Sequence, residues 1–433
     1  MNLTANSLPR CRFCNTKLKH TFVDLGLQPL SEKYLKPEQL NQRELFYPLH
    51  VYFCDNCLLV QLEESITPKE IFKEYAYFSS SSKGWIRHTE TYAKMIIDKL
   101  GLGNDSQVVE IGSNDGYLLQ FFASRGIPVL GVEPAANVAE EAISKGIPTI
   151  VNFFGIEISK ELLKSNKMAD LLVCNNILAQ VPDINGFVEG LKILLKPSGV
   201  ITLEFHHLLN LMERNQFDTI SHERFSYFSF FIVEKILASH GLTIFDVEEL
   251  TTHGGSLRVY ARHVEDVAKR VTANVSKLKK KEQTAGLIKT EKYLMFSEKV
   301  KEIKRSILDL LIKLKYNRKS IVGYGAHAEA HTILNYCCIR SDFLDYTVDI
   351  NPKKQGKFIA GVRIPIFHPS KIEETKPDYV VVLPWNIKNE IMNQISYIGR
   401  WGGKFILLIP ETKMFNAEGV EISFENSSKV VDS

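Results

Sequence analysis

The stretch QVVEIGSNDGYLL, residues 107–119, decides the fold. Strand-like residues Val108 to Ile111 run into a turn carrying Gly112 and Gly116, and an apolar helix-like segment follows. Strand, glycine turn and helix in that order open an α/β sheet. A turn of this kind that binds a dinucleotide reads G-x-G-x-x-G, because a pyrophosphate needs close backbone approach and a helix N-terminus. Here the pattern is E-x-G-x-x-x-G, with no glycine two residues after Gly112. The turn therefore suits a cofactor without phosphates.

Further strand-like runs lie outward from it: PVLGVEP (128–134), DLLVCNN (170–176), GVITLEF (199–205), LTIFDVEEL (242–250) and SLRVYAR (256–262). Helix-like stretches fall between the first four, among them GYLLQFFASRG and INGFVEGLKILL. This alternation predicts a parallel sheet with helices on both faces. Glu133 ends the second strand, where an acid can accept hydrogen bonds from both hydroxyls of a ribose. Asn175 and Asn176 end the next strand, at the edge where open sheets bind ligands. S-adenosylmethionine fits these features, with Gly112 and Gly116 letting the backbone approach its amino-acid part. The candidate cofactor residues are Glu110, Gly112, Asn114, Gly116, Glu133, Pro134, Asn175 and Asn176.

The chain has 433 residues, 45% of them hydrophobic, and a net charge of +3. Single cores rarely exceed about 250 residues, so two or three domains are expected. A near-neutral charge gives no support to nucleic-acid binding. The N-terminus lacks a signal-peptide core and no apolar run reaches about 20 residues, so a cytoplasmic protein without a membrane partner is expected. Four of the seven cysteines form two C-x-x-C pairs, Cys11 with Cys14 and Cys54 with Cys57. Two such turns make a tetrahedral thiolate cage for a structural Zn²⁺, closed and without chemistry of its own.

The expected segments are a zinc-binding domain over 1–72, the cofactor domain over 73–265, and a linker helix with a second α/β domain over 266–433. The lysine-rich stretch 271–292 reads as polar and solvated. It merges into a helix whose apolar face carries Phe296, Val300, Ile303, Ile307, Leu310, Leu311 and Leu314. Strands of the second α/β domain are expected at SIVGYG, DYTVD, DYVVVLP and KFILLIP. VGYGA resembles a Rossmann first turn, but a lone G-x-G does not imply NAD.

Nearly the whole chain resembles the S-adenosylmethionine-dependent C-methyltransferases of nucleotide-deoxysugar biosynthesis. The resemblance rests on the cysteine pairs, YAYFSSSS, EIGSNDGYLL, GVEPAANVA, NNILAQVPD, DTISHERFSYFS, HGGSLRVY, VDINPKKQG and LPWNIKNEI. It implies a zinc-binding domain, a central Rossmann-like class I methyltransferase sheet and a C-terminal Rossmann-like α/β domain. It also implies a small-molecule acceptor: a keto-sugar on thymidine diphosphate, methylated at the carbon beside the ketone and held with help from the C-terminal domain. The reading is compatible with a monomer.

Removing a proton beside a ketone requires a base and stabilisation of the enolate oxygen. In the family a Tyr-His-Glu-His run and a His in an Asn-Asn-x-Leu-Ala-His stretch supply much of this. Here Ser221 stands for the Tyr, Arg224 for the second His and Gln180 for the last His. Glu329 stands where a diphosphate-facing Lys is usual, after Gly323-Tyr324-Gly325-Ala326-His327-Ala328. His222 and Glu223 are the surviving bases. Arg224 cannot act as a base but can stabilise an enolate or bind an anion.

Tyr75 is the candidate for an active-site tyrosine in the entry segment. His207 matches a common family histidine, whereas His206 replaces a usual proline and reads as a loop residue. His253, Tyr324, Glu329, Asn351, Lys354 and Asn386 complete the substrate candidates. Three functions stay open: a sugar C-methyltransferase with a rearranged base, a methyltransferase acting on another acceptor or atom, and a cofactor-binding homologue without catalysis.

Overall fold

The computed structural model describes residues 8–71 and 78–423. The chain divides into two compact units, each built from separate stretches. Met1–Phe22, Val51–Asn210 and Glu223–Leu294 form the first; Val23–His50, Leu211–His222 and Met295–Ser433 form the second. These units divide the chain differently from the three consecutive segments expected over 1–72, 73–265 and 266–433.

In the first unit β1 (Val108–Ile111), β2 (Val129–Val132), β3 (Thr149–Ile150), β4 (Ala169–Asn175) and β5 (Leu195–His206) are parallel. β6 (Leu242–Leu250) and β7 (Ser256–His263) are antiparallel, and the strand order is β6-β7-β5-β4-β1-β2-β3. The expected parallel sheet thus ends at β5. The connection from β6 to β7 spans only residues 251–255, and a parallel pair needs a crossover of about a dozen residues or more.

Successive strand residues alternate between two buried clusters. Val109, Leu172, Ile201 and Leu203 pack with Leu191 of α5 (Ile184–Leu194) and Ile236 of α6 (Phe230–Ser239). Val108, Leu171 and Val173 pack with Ile96 of α1 (Lys83–Leu100) and Phe122 of α2 (Leu119–Ala123). Strand side chains point alternately to opposite faces, so both faces of the sheet carry helices. After β3 the chain returns past β1 to β4. That reversal opens a crevice at the carboxyl ends of β1 and β4, the usual ligand position in such sheets.

The lysine-rich stretch is not simply a solvated linker. It forms α7 (Ala273–Thr284), whose Val275 and Leu278 are buried in the first unit. Glu282, on the same helix, is 1% exposed. Its carboxylate accepts the N–H groups of Phe230 and Phe231 at the start of α6 and lies 2.8 Å from His207 Nε2. A carboxylate at a helix N-terminus meets donors that have no partner within the helix. The lysines hide this in the sequence.

The four cysteines of the C-x-x-C pairs converge, their sulfurs all within 4.8 Å of one another. Cys11 and Cys57 are 3.5 Å apart, as are Cys14 and Cys54. A tetrahedral site with Zn–S of about 2.3 Å has sulfur–sulfur edges of about 3.8 Å, so the cage fits zinc. Gln61 Nε2 donates to Cys11 Sγ at 3.2 Å, and Gln61 Oε1 accepts from the Arg12 N–H at 2.9 Å. Around this cage Tyr47–Phe53 pairs with Val60–Leu62, with Val51 opposite Leu62.

The second unit has the strand order β10-β9-β8-β11-β12-β13-β14. β8 (Ile321–Tyr324), β9 (Thr347–Val348), β10 (Ile366–Phe367), β11 (Tyr379–Val382) and β12 (Lys404–Leu407) are parallel. β13 (Lys413–Phe415) and β14 (Glu421–Ile422) add an antiparallel edge. α8 (Phe296–Tyr316) buries Phe296, Val300, Ile303, Ile307, Leu311 and Leu314 as its spacing predicts; Leu310 stays half-buried. Residues between the two cysteine pairs join this unit. Leu35 and Tyr34 pair with Phe358 and Ile359, and Glu44 Oε1 accepts from Arg363 Nε at 2.8 Å. The forty-residue gap between the pairs is therefore not a simple loop of the zinc site. Among the described residues no helix is long and apolar enough to cross a membrane.

Two outcomes follow from this packing. Glu282→Ala strips a buried carboxylate from two helix N–H groups and His207, and denaturant unfolding should give a loss of about 3 kcal/mol. A change below about 0.5 kcal/mol would place Glu282 among ordinary surface residues. Cys57→Ser should abolish zinc retention, read by elemental analysis against about one zinc per wild-type chain; full retention contradicts the cage.

Candidate active site

The crevice at β1 and β4 begins with the turn after Ile111. Gly112 and Gly116 have φ +71 and +75, a region that favours glycine. A side chain at Gly112 would meet Ile177 Cδ1 at 2.2 Å, and one at Gly116 would meet Ile147 Cγ1 at 3.1 Å. The open backbone approach expected at Gly112 is thus filled by Ile177. Backbone conformation and packing demand these glycines.

Asn114, also left-handed at φ +48, accepts from the Ser79 N–H through Oδ1 at 2.9 Å. Asp115 Oδ2 accepts from the Ser80 N–H at 3.3 Å. Glu133 Oε2 accepts from Asn114 N at 3.0 Å, and Glu133 Oε1 accepts from Ala135 N at 2.9 Å. Between them Pro134, half-buried, offers no N–H. Each Glu133 oxygen keeps a second lone pair for a ribose hydroxyl. Burial raises the Glu133 carboxyl above its ordinary range, and the two backbone N–H groups oppose that rise.

Glu110 is fully buried on the α1 side of β1, and among the described residues neither of its oxygens has a partner at hydrogen-bond geometry. Burial drives its carboxyl well above the usual range; nearby Tyr117 opposes the rise, and the charges of Glu133 and Asp115 add to it. Asn175 ends β4, and Asn176, at φ +59, donates its N–H to Glu204 O at 2.7 Å. Oδ1 of both asparagines is buried without a partner among the described residues, as is Ser113 Oγ.

The loop DTISHERFSYF passes from the second unit to the first between His222 and Glu223. In the first unit Glu223 and Arg224 are half-buried. Arg224 Nη1 donates to His206 Nδ1 at 3.2 Å. His206 stacks on His253 at 5.0 Å, and His253 packs on Trp85 at 5.1 Å. Trp85 stacks on His88 at 5.0 Å, and His88 Nε2 lies 3.1 Å from Glu204 Oε2. Glu204 is 0% exposed and also accepts from Arg258 Nη2 at 2.9 Å and Thr252 Oγ1 at 3.0 Å. Burial would raise the Glu204 carboxyl, but His88 and Arg258 prevail and hold it below the usual range. Gln180 closes a short 3-10 turn, half-buried, near the end of β4.

His206 and His207 exchange the places the sequence suggests. Adjacent strand residues face opposite ways. His207 turns inward, 0% exposed, onto Glu282, and is a core histidine; His206 turns to the aromatic column. Sequence reasoning missed His206, Trp85, His88, Glu204 and Arg258. The available signal was a charge inside each of two apolar runs, TLEF and LRVY, because a buried charge needs a partner. Tyr75 lies outside the described residues.

In the second unit, the Tyr324 hydroxyl donates to Gln394 Oε1 at 3.2 Å. Glu329 is in the first turn of α9 (Ala328–Cys337), 3.4 Å from His327 Nε2. Lys354 Nζ donates to Ala326 O at 2.8 Å and pairs with Glu32 at 3.3 Å. Asp218 is 2% exposed and accepts from Trp385 Nε1 at 2.7 Å; burial, with the charge of Glu329, drives its carboxyl well above the usual range. Asn351 and Asn386 are exposed after β9 and β11. His222 is 3% exposed beside Tyr47, with ring centroids 6.0 Å apart. Burial lowers its imidazole pKa.

The first-unit crevice collects acceptors: Glu110, Glu133, Asn175, Asn176 and Ser113. S-adenosylmethionine presents an ammonium, two ribose hydroxyls, an adenine amine and a positive sulfur, so the residues present fit it. A cofactor rich in phosphate would meet these same oxygens with repulsion.

Family models match three consecutive regions: a zinc binding domain over residues 11–72, a methyltransferase domain over 85–247, and a C-methyltransferase C-terminal domain over 251–410. The C-methyltransferase NovU of Streptomyces niveus is 32% identical over 411 residues, 95% of this chain and 98% of that protein. A ubiquinone biosynthesis O-methyltransferase of Colwellia psychrerythraea is 28% identical over 22% of this chain and 40% of its own length. An S-adenosylmethionine-dependent methyltransferase structure from Clostridium acetobutylicum covers 41% of this chain and 92% of its own at 12% identity, with a TM-score of 0.33, too low to add to the argument. With three domain matches in order and near-complete coverage by one relative, this chain belongs to the S-adenosylmethionine-dependent C-methyltransferases with an N-terminal zinc-binding domain.

Proposed function

We propose that the acceptor is a nucleotide-linked keto-deoxysugar and that the methylated atom is the carbon beside its ketone. The observation that carries this reading is that Glu223 and Arg224, neighbours in sequence and both half-buried, fall within the same unit as the crevice at β1 and β4. Methylating a carbon needs more than a bound methyl donor, because the C–H electron pair must first be released. Glu223 is assigned as the base that takes the proton, and Arg224 as a cation that favours the negative charge left on oxygen. Gln180 can donate a hydrogen bond from the end of β4 but cannot shuttle a proton. When bound, S-adenosylmethionine supplies a methyl group on an electrophilic sulfur. Glu110, Asn114, Glu133, Asn175 and Asn176 are assigned to its polar groups.

One observation favours a second reading, an acceptor without a diphosphate. Glu329 and the buried Asp218 lie in the second unit, and Glu329 raises the Asp218 carboxyl further. The charge of Glu329, which the protonated Asp218 does not offset, opposes a diphosphate, and Lys354 is already paired with Glu32.

Incubation with S-adenosylmethionine and a panel of nucleotide-linked keto-sugars decides between them. The proposal expects a product heavier by one methylene and, in D₂O, exchange of the proton beside the ketone. Glu223→Gln should lower both turnover and exchange by about 10²–10⁴. Methylation without exchange would transfer the assignment to oxygen, and turnover only of acceptors without a diphosphate would favour the second reading.

A further inference from the structure

Arg224 occupies the place where an imidazole is expected, and an arginine cannot replace an imidazole in proton handling. The structure puts an imidazole beside it all the same. His206 Nδ1 lies 3.2 Å from Arg224 Nη1, at the carboxyl end of β5. A guanidinium only donates, so Nδ1 must be the acceptor. In the neutral ring the proton then sits on Nε2. Burial, followed by the charges of Arg224 and His253, keeps the imidazole pKa well below its ordinary value. The ring is thus a neutral donor through Nε2–H.

That donor is enclosed and has no partner among the described residues. An unsatisfied buried N–H costs about 1–3 kcal/mol, so its retention calls for an explanation. The ring cannot easily turn to relieve it. One side stacks on His253, which packs on Trp85, which stacks on His88, and His88 is held by Glu204. His253 itself is held at φ +50 between Thr252 and two glycines. The column fixes the plane of His206, and Arg224 fixes its tautomer.

We propose that His206 is a catalytic residue of the methyl transfer, its Nε2–H donating a hydrogen bond to the acceptor's carbonyl oxygen as that oxygen becomes an enolate. This rests on the reading of the reaction as methylation beside a ketone. No proton leaves the imidazole. The C–H proton goes to Glu223, the C–H electron pair moves into the enolate, and the oxygen charge is shared between the Nε2–H of His206 and the field of Arg224. A neutral imidazole suits this task, because its N–H is a weak acid that does not bind the ground-state ketone as an ion would. Arg224 then acts as a positioning residue by fixing the tautomer.

The test compares wild type, His206→Ala and His206→Gln on thymidine-diphosphate-linked 4-keto-6-deoxyglucose. It reads kcat, KM and proton exchange in D₂O with S-adenosylhomocysteine bound. His206→Ala should lose about 10²–10³ in kcat and in exchange with KM little changed, as for removal of one oxyanion donor. His206→Gln keeps an amide N–H within reach and should recover part of both. Zinc content and S-adenosylhomocysteine affinity should be unchanged in both variants. If His206→Ala matches wild type within about threefold in kcat, His206 is not the donor. Equal impairment of two folded variants reduces it to a packing role and overturns the proposal. If His206→Ala does not fold, His206→Asn and His206→Gln decide: the longer amide retaining more turnover and exchange than the shorter, with affinity intact in both, supports the donor, and equal loss in the two overturns it. Absence of exchange and turnover in wild type overturns the parent reading as well, which keeps the two failures distinct.

Discussion

The Glu133 carboxylate ties the turn after β1 to the exit of β2, at the crevice proposed for the cofactor. It sits past the end of β2 and accepts the N–H of Asn114, across the gap, and the N–H of Ala135, on its own strand exit. Asn114 in turn receives Ser79, and Asp115 receives Ser80, so one acid ties three separate stretches of chain to the carboxyl edge of the sheet. Hydrogen bonds from backbone N–H groups to a carboxylate are among the stronger ones available in water-poor surroundings. Without that anchor the turn from Gly112 to Gly116 would keep only the bonds of its first residues to Val132 O. The acceptor array of Glu110, Asn175 and Asn176 would then have no fixed wall opposite it.

Much of this was legible in the sequence, for identifiable reasons. Strand runs such as DLLVCNN and DYVVVLP are short, apolar and bounded by turns, and they appear as β4 and β11. The two C-x-x-C turns fix a metal geometry that few other arrangements share. What stayed hidden was long-range. The lysines of α7 concealed a buried Glu282, because composition averages over faces and a helix does not. The hairpin of β6 and β7 reads like any two strands until their separation is set against the length a parallel crossover requires. Residues between the cysteine pairs belong to the second unit through Tyr34 and Glu44, contacts with chain some three hundred residues away.

The candidate site was legible in the same uneven way. Single residues at strand ends, such as Glu133 and Asn175, can be placed at the carboxyl edge from the sequence alone, and the structure has them there. Pairs of side chains cannot. His207 and His206 differ by one position and therefore by a whole face of the sheet. The column from His88 to His206 draws on α1, β5 and the β6–β7 turn, and only the folded chain brings those together. Glu204 and Arg258 look like faults in apolar strands until their mutual bond explains both.

The account stands on a methyl donor held through oxygen acceptors at the end of β1, with Glu133 as the anchor. Titration calorimetry of zinc-loaded protein with S-adenosylhomocysteine, wild type against Glu133→Gln, tests that most directly. The account expects saturable binding by wild type and a loss of about 10–100-fold in the variant, the scale of a hydrogen bond to a charged group. No binding by wild type, or equal affinity in the two, would contradict it.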